Sequence, residues 1–258
     1  MSSITDIYSP RTTFRCTRLR GAKVGSSVCQ FCAVGCSQLG FFKDGKLIDV
    51  EGDPRSAVNE GRLCPKGSST YALNENPYRK VKPMYRAPGS DHWEEVTLDW
   101  MLDTVAKRIW DTRNKGFVEK DPATGITVNN CANIGFIGGS ANDNEECYLF
   151  RKLFTGGLGI LPVENSARYC HSTTVAALSP TFGFGACTNP PRDLLNSDCI
   201  LIMGSNMAEA HPCAFYWPMQ AKKKGAVTIH VDPRYTRTSA ACDHHVHIRP
   251  ETDIAFLS

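Results

Sequence analysis

The sequence predicts an α/β protein in two consecutive parts: a small β-rich domain built around a metal site, then an α/β domain with a mostly parallel sheet. Three observations predict it. Cys29, Cys32, Cys36 and Cys64 stand at C-x2-C-x3-C-x27-C, a spacing at which one tight loop supplies three thiolates and a distant loop the fourth. Residues Ser37 to Glu51 alternate apolar and polar side chains around Asp44-Gly45, the dipeptide that favours a tight hairpin turn. Beyond residue 97, stretches of helical period alternate with short apolar runs, the order of strand and helix units in a parallel sheet. The expected boundaries are 1–88 and 89–258, linked across the proline-rich segment Asn76 to Gly89.

Composition narrows the function classes. A chain of 258 residues with 41% hydrophobic content can bury a sizeable core. Its 29 basic and 26 acidic residues leave a net charge of +3, too balanced for a nucleic-acid surface, so no nucleic-acid partner is expected. Twelve cysteines would suit a disulfide framework, but a chain with this much core needs no staples, and four of them are bunched at ligand spacing. Met1 to Tyr8 is polar, no apolar stretch of a secretion signal follows, and the arginines at 15, 18 and 20 are not a twin pair. A reducing, cytoplasmic setting is expected. No apolar run approaches the roughly 18 residues of a membrane span.

The cysteine motif admits two metals. Zinc sites of four cysteines usually come as two C-x2-C pairs, whereas a triplet plus one suits a [4Fe-4S] cluster. Gly35 relieves crowding within the triplet. Gly52-Asp53-Pro54 and Asn59-Glu60-Gly61 are loop signals that return the chain to Cys64, which Pro65-Lys66-Gly67 follows. Lys66 is either a solvated lysine or an ammonium at the edge of the metal site.

Next, Leu98, Met101, Leu102, Val105, Ala106, Ile109 and Trp110 share one face of a helix from Thr97 to near Gly116, read as core. Residues 117–131 read as a loop, Asn133 to Ile137 as a buried strand, and Asn144 to Phe154 as a helix with a charged start. Gly138-Gly139-Ser140 either receives phosphate or turns the chain, and Gly156, Gly157 and Gly159 break the pattern before Ser166. In Ser166-Ala167-Arg168-Tyr169-Cys170-His171-Ser172 a thiol stands beside an imidazole. Cys131, Cys147, Cys187, Cys199, Cys213 and Cys242 read as buried or incidental thiols, and Cys16, ahead of the motif, has no partner at ligand spacing.

Asp198 to Met203 reads as a strand that empties into the small-residue loop Gly204-Ser205-Asn206, where backbone N–H groups can receive phosphate. A second strand, Val227 to Val231, leads into Asp232-Pro233-Arg234, an acceptor for a ribose or base edge beside a cation for phosphate. His244, His245 and His247 read as strand and loop rather than a metal patch. Thr252 to Ser258 reads as a helix just beginning, so the chain is expected to stop mid-element.

The ligand spacing together with Gly61-Arg62-Leu63-Cys64-Pro65-Lys66-Gly67 resembles the N-terminal domain of molybdenum and tungsten oxidoreductases that carry a bis(pyranopterin guanine dinucleotide), or bis(molybdopterin guanine dinucleotide), cofactor. The resemblance implies a [4Fe-4S] cluster on Cys29, Cys32, Cys36 and Cys64, and an electron-transfer role for Lys66 between cluster and pterin. Ala167 to Ser172, with Thr173 to Leu178 and Thr181-Phe182-Gly183, resembles the formate dehydrogenase branch. There the position of Cys170 ligates Mo or W, and a histidine such as His171 takes the substrate proton or holds charge against its carboxylate. The resemblance also places Gly204, Asn206, Glu209, His211, Asp232 and Arg234 around one guanine dinucleotide. It implies oxidation of formate to CO2 or the reverse, a second polypeptide supplying the rest of the catalytic subunit with a formate-fixing arginine, and an iron–sulfur electron-transfer subunit. A nitrate or other oxyanion reductase, where methionine typically follows the cysteine, and a non-catalytic iron–sulfur module are the alternatives.

Overall fold

The computed structural model describes residues 18–258. Cys16, Arg15 and the polar start Met1 to Tyr8 lie outside the described residues. In chain order the elements begin with β1 (Lys23–Val28), β2 (Ser37–Lys43), β3 (Lys46–Gly52), α1 (Pro65–Ser68), α2 (Thr70–Asn74), β4 (Met84–Tyr85), β5 (Glu94–Glu95), α3 (Leu98–Gly116), β6 (Phe117–Lys120), β7 (Thr127–Cys131) and β8 (Phe136–Ile137). There follow α4 (Asn144–Arg151), β9 (Val163–Glu164), α5 (Ser166–Tyr169), α6 (Ser172–Phe182), β10 (Cys199–Met203), α7 (Met207–Ala210), α8 (Pro212–Lys223), β11 (Val227–Val231), α9 (Arg237–Ala241), β12 (His244–Val246) and α10 (Asp253–Leu257).

Two compact units result. One joins the residues up to Pro77 with Thr188–Ser258, and the other is Tyr78–Cys187. This grouping cuts across the two consecutive segments read from the sequence, because the last seventy residues or so pack on the N-terminal loops. Trp217, 2% exposed, donates from Nε1 to the carbonyl of Val58 at 2.9 Å. The Arg62 guanidinium lies 3.6 Å over the ring of Tyr216. Burying a ring of this size removes about 200 Å² from water, worth at most ~5 kcal/mol at about 25 cal/mol per Å².

In the first unit, β1, β2 and β3 form an antiparallel meander in chain order. The expected hairpin is present: Asp44 and Gly45 both take positive φ, 51° and 78°, the conformation that a two-residue turn between twisted strands requires. Leu39 and Phe41 point inward onto Leu19. Strand β1 was not legible, since Lys23–Val28 carries Gly25-Ser26-Ser27 where alternation would be read. The second layer is a parallel sheet in the order β10-β11-β12. Ile200 and Ile202 of β10 pack with Phe215 and Ala221 of α8 and with Ala226. The histidines at 244 and 245 belong to β12, where the His245 ring lies 5.8 Å from that of His230 and 5.1 Å from Tyr235.

The second unit corrects three sequence expectations. Residues 117–131 are not a loop but the antiparallel hairpin β6–β7, closed where Asp121 Oδ1 accepts from the N–H of Ala123 and of Thr124. The polarity of Thr127–Asn130 misled the reading, because a hairpin largely open to solvent needs no apolar alternation. Helix α3 forms as expected, capped by Thr97, whose Oγ1 accepts from Trp100 N. Its apolar face is not core in this unit: no residue of α3 is buried, and Trp110 is 61% exposed. The expected strand at 133–137 contracts to Phe136–Ile137, with the Phe136 ring 4.6 Å from Phe154 and 4.8 Å from Phe150. A capping box between Asp143 and Glu146 starts α4, which continues into a π-helical turn over Lys152–Gly157.

Candidate functional site

The cysteine loop is shaped by its backbone. Gly35 takes φ +67°, a left-handed conformation that lets the chain double back, and the N–H of Cys29 then bonds the carbonyl of Cys36 at 2.8 Å. Cys64 arrives from the other side as the cap of α1, with Pro65 in the first helical position. Asn59, 1% exposed, ties the two loops together. Its Oδ1 accepts from Ser37 N at 3.0 Å, and its Nδ2 donates to the carbonyls of Ser37 at 3.0 Å and Arg62 at 2.8 Å.

As a result Cys29, Cys32, Cys36 and Cys64 line one cavity with Phe31, Leu63 and the turn His211-Pro212-Cys213. All four are free thiols. Burial, then the neighbouring Cys213, Cys29 and Cys32, push the Cys36 thiol up to about 12. Such a thiol keeps its proton until a metal displaces it. Among the described residues no three His, Cys, Asp or Glu side chains could share a single metal ion as they stand. Four soft sulfur donors converging on one apolar-lined cavity are the donor set of an iron–sulfur core, so the residues present fit that group.

Lys66 lies on α1, two residues beyond Cys64. Its Nζ donates to the carbonyls of Ala210 at 3.0 Å and Glu209 at 3.4 Å, at the C-terminal end of α7. The lysine therefore joins the cysteine loop to the segment after β10. Gly204 leaves β10 with φ +63°, and its N–H bonds the carbonyl of Val231 at 3.1 Å. Asn206 is held by two partners: its Oδ1 accepts from Thr238 Oγ1 at 2.9 Å, and its Nδ2 donates to Glu209. Glu209 also pairs with Arg237 at 3.3 Å. Asp232 Oδ1 accepts from the N–H of Arg234 at 2.8 Å, fixing the turn after β11. Because β10 and β11 are neighbouring parallel strands, the Gly204 and Asp232 loops leave the same edge of the sheet, where open α/β sheets receive ligands.

His211 stands apart from that group, since it lines the cysteine cavity. Cys213, read as incidental, lines the same cavity at 7% exposure. No sequence spacing signalled it, because α8 brings it from far along the chain. Of the other incidental thiols, Cys131 is buried, Cys187 and Cys199 are exposed, and Cys147 and Cys242 are half-buried.

Within the second unit, Asn165 caps α5 by accepting from Ala167 N at 2.8 Å, and Cys170 ends that helix. His171 then caps α6, and its carbonyl accepts from Val175 N at 3.0 Å. Both side chains are exposed. Cys170 lines an open cleft of about 360 Å³ with Ile137, Gly138, Ser166 and Tyr169. An exposed thiol beside an imidazole, held at a junction between two short helices, is accessible to a ligand without rearrangement.

Comparison with known proteins divides the chain consecutively. Residues 22–76 match the molybdopterin oxidoreductase Fe4S4 domain and residues 79–258 match molybdopterin oxidoreductase. The chain is 52% identical over 239 residues to formate dehydrogenase subunit alpha of Megalodesulfovibrio gigas, covering 92% of this chain and 23% of that one. It is 48% identical to formate dehydrogenase 2 subunit alpha (cytochrome c-553) of Nitratidesulfovibrio vulgaris, covering 93% and 24%. The chain thus spans about a quarter of the length of these relatives. Among solved structures it matches acetylene hydratase from Pelobacter acetylenicus with a TM-score of 0.64 at 20% identity, over 89% of this chain and 30% of that one, a likeness of fold. Among the described residues no helix is long and apolar enough to cross a membrane. With the family matching 180 of its residues, and its four thiols converging on one cavity, the chain belongs to the molybdopterin oxidoreductase family.

Proposed function

We propose that this chain is the N-terminal portion of a molybdenum- or tungsten-dependent formate dehydrogenase. The observation that carries the reading is the Cys170-His171 pair, exposed at the junction of α5 and α6, in a chain about half identical to two formate dehydrogenase alpha subunits. Formate oxidation converts HCOO⁻ to CO2 with release of one proton and two electrons. The cofactor, bis(molybdopterin guanine dinucleotide) with its metal, supplies the two-electron acceptor when bound.

The chain's own residues do the rest. Cys170 offers a soft thiolate to the metal. The His171 imidazole takes the released proton, the general-base role for which imidazole is the commonest side chain. Gly204 and Asn206 present backbone and amide groups to a phosphate, Glu209 and Asp232 offer acceptors to the guanine dinucleotide, and Arg234 pairs with phosphate. Lys66 keeps a cation between the cysteine loop and that segment, and so lies on the electron path to a [4Fe-4S] cluster held by Cys29, Cys32, Cys36 and Cys64.

Residues 1–88 serve as the cluster domain and 89–258 as the first part of the cofactor-binding domain. The exposed apolar face of α3 is a surface for the remainder of the catalytic subunit. An iron–sulfur subunit takes the electrons onward, and the protein works in the cytoplasm. The test is formate-dependent viologen reduction by anaerobically purified protein with whatever accompanies it, alongside oxidation of reduced viologen by nitrate. Formate turnover supports the reading; nitrate turnover without formate turnover in metal-replete protein overturns it.

A further inference from the structure

We propose that His230, buried in the parallel-sheet layer, is a positioning residue of the loop after β10: its ring turns the Ser205–Asn206 peptide so that the Asn206 N–H meets a phosphate oxygen. The inference rests on the reading of Gly204-Ser205-Asn206 as a phosphate-receiving loop. His230 lies on β11 and is 0% exposed. A buried imidazole costs free energy unless its nitrogens are hydrogen-bonded, and both are. Nε2 lies 3.2 Å from the carbonyl oxygen of Ser205 and 3.9 Å from Asp232 Oδ2. A carbonyl oxygen only accepts, so Nε2 carries a hydrogen and donates it. Nδ1 then accepts from Ser239 Oγ at 2.7 Å, and that hydroxyl oxygen accepts from Thr236 N–H at 2.9 Å. The ring is thus held from α9 on one side and holds the β10 loop on the other.

Peptide geometry carries the effect to the surface of the loop. No peptide bond among the described residues is cis, and in a planar trans peptide the N–H points opposite to the C=O. With the Ser205 carbonyl drawn onto the buried ring, the Asn206 N–H is directed away from it. Among the described residues no acceptor takes that N–H. The Asn206 side chain is fixed separately. Its Oδ1 accepts from Thr238 Oγ1, which itself accepts from Ala208 N–H, both at 2.9 Å. Helix α9 therefore sets the peptide through Ser239 and His230, and the side chain through Thr238. Because α9 begins at Arg237, just beyond the Asp232–Arg234 turn, the loops after β10 and β11 are set together. The ligand class such a pair suits is a nucleoside diphosphate, with its anionic oxygens between the Asn206 N–H and Arg234.

The experiment titrates the cofactor-free full chain, isotope-labelled and purified anaerobically, with guanosine diphosphate and with guanosine. Amide and imidazole signals are followed by nuclear magnetic resonance in wild type, His230→Leu and His230→Gln, beside thermal unfolding of each sample. His230→Leu is expected to weaken guanosine diphosphate binding about tenfold, the loss of one hydrogen bond to a charged oxygen. Guanosine, which has no phosphate, should bind it as it binds wild type. His230→Gln keeps an N–H donor toward the Ser205 carbonyl and should recover most of the loss. Undiminished guanosine diphosphate binding in folded His230→Leu, equal weakening of the two ligands, or no recovery in folded His230→Gln overturns the inference and leaves the reading of the loop standing. On wild type alone, guanosine diphosphate should shift the Asn206 amide signal, and the His230 ring should carry a hydrogen on Nε2. An unmoved amide, or a ring hydrogen on Nδ1 only, overturns the proposal even where a variant does not fold. Wild type that binds neither ligand removes the reading of the loop, and the inference with it.

Discussion

Lys66 Nζ donates a hydrogen bond to the carbonyl oxygen of Ala210 at 3.0 Å. The contact joins the residue two places beyond a cluster cysteine to the last turn of the helix that follows β10, and a cation at a helix C-terminus complements the partial negative charge there. Lys66→Ala should cost under about 1 kcal/mol of stability, because the bond is partly solvated. It should slow formate-dependent reduction of the cluster by about tenfold or more while leaving iron content intact, with Lys66→Arg closer to wild type. Rapid mixing with detection of the reduced cluster measures the rate. A wild-type rate in Lys66→Ala would remove the lysine from the electron path.

Asn59 makes three hydrogen bonds from a position 1% exposed. Asn59→Ala leaves Ser37 N–H and two carbonyls without that partner, and each unsatisfied buried group costs roughly 1–3 kcal/mol. A loss of about 2–4 kcal/mol in denaturant unfolding is expected, together with reduced iron retention, because the amide holds the Cys36 and Cys64 loops in register. Unchanged iron in a destabilised variant would separate its fold role from its site role.

Much of this architecture was legible because local chemistry dictates it. Asp44-Gly45 announces its hairpin through the positive φ both residues take, and Thr97 announces α3 through its capping oxygen. The strands Cys199–Met203 and Val227–Val231 were readable from apolar runs ending in small or turn-forming residues. What failed depended on long-range packing. The hairpin at 117–131 is held by pairing of Phe117 with Cys131 and by an Asp121 turn, neither of which leaves an apolar period. The segment after Thr188 packs on the N-terminal loops through Trp217 and Tyr216, contacts that no window of sequence contains. Cys213 reaches the cysteine cavity by the same route, whereas the four candidate ligands were found because their spacing is local to two loops.

Cys170 and His171 are both exposed at the α5–α6 junction, so replacing either should change stability by no more than about 0.5 kcal/mol. Activity should respond very differently. Cys170→Ala removes the proposed thiolate ligand and is expected to abolish formate oxidation. His171→Gln keeps a polar side chain of similar reach without the imidazole and should lower kcat about 100-fold or more. Steady-state assays of the assembled enzyme, beside thermal unfolding of the same samples, check both. A His171→Gln variant with undiminished kcat would assign the proton to another group.

Asp243 provides the pH-dependent prediction. Its carboxylate pairs with Lys222 Nζ at 2.9 Å and accepts from Thr228 N at 2.9 Å and Thr228 Oγ1 at 2.8 Å. The Lys222 hydrogen bond first, then those from Thr228, hold it well below the ordinary carboxylate range. The unfolded chain, in which Asp titrates near about 3.9, therefore binds this proton at higher pH than the folded one does. The stabilisation is fully present above about pH 4 and is lost as the pH falls toward the depressed native value. In Asp243→Asn the carboxylate is gone, so the variant should be less stable than wild type at neutral pH, and the gap should close in acid. The difference between the two unfolding curves isolates this residue from the other carboxylates that titrate in the same range. A gap that stays constant between pH 6 and about pH 3 would mean that the Asp243 interactions are no stronger in the folded chain than in the unfolded one, and that neighbouring contacts alone hold β11 to β12.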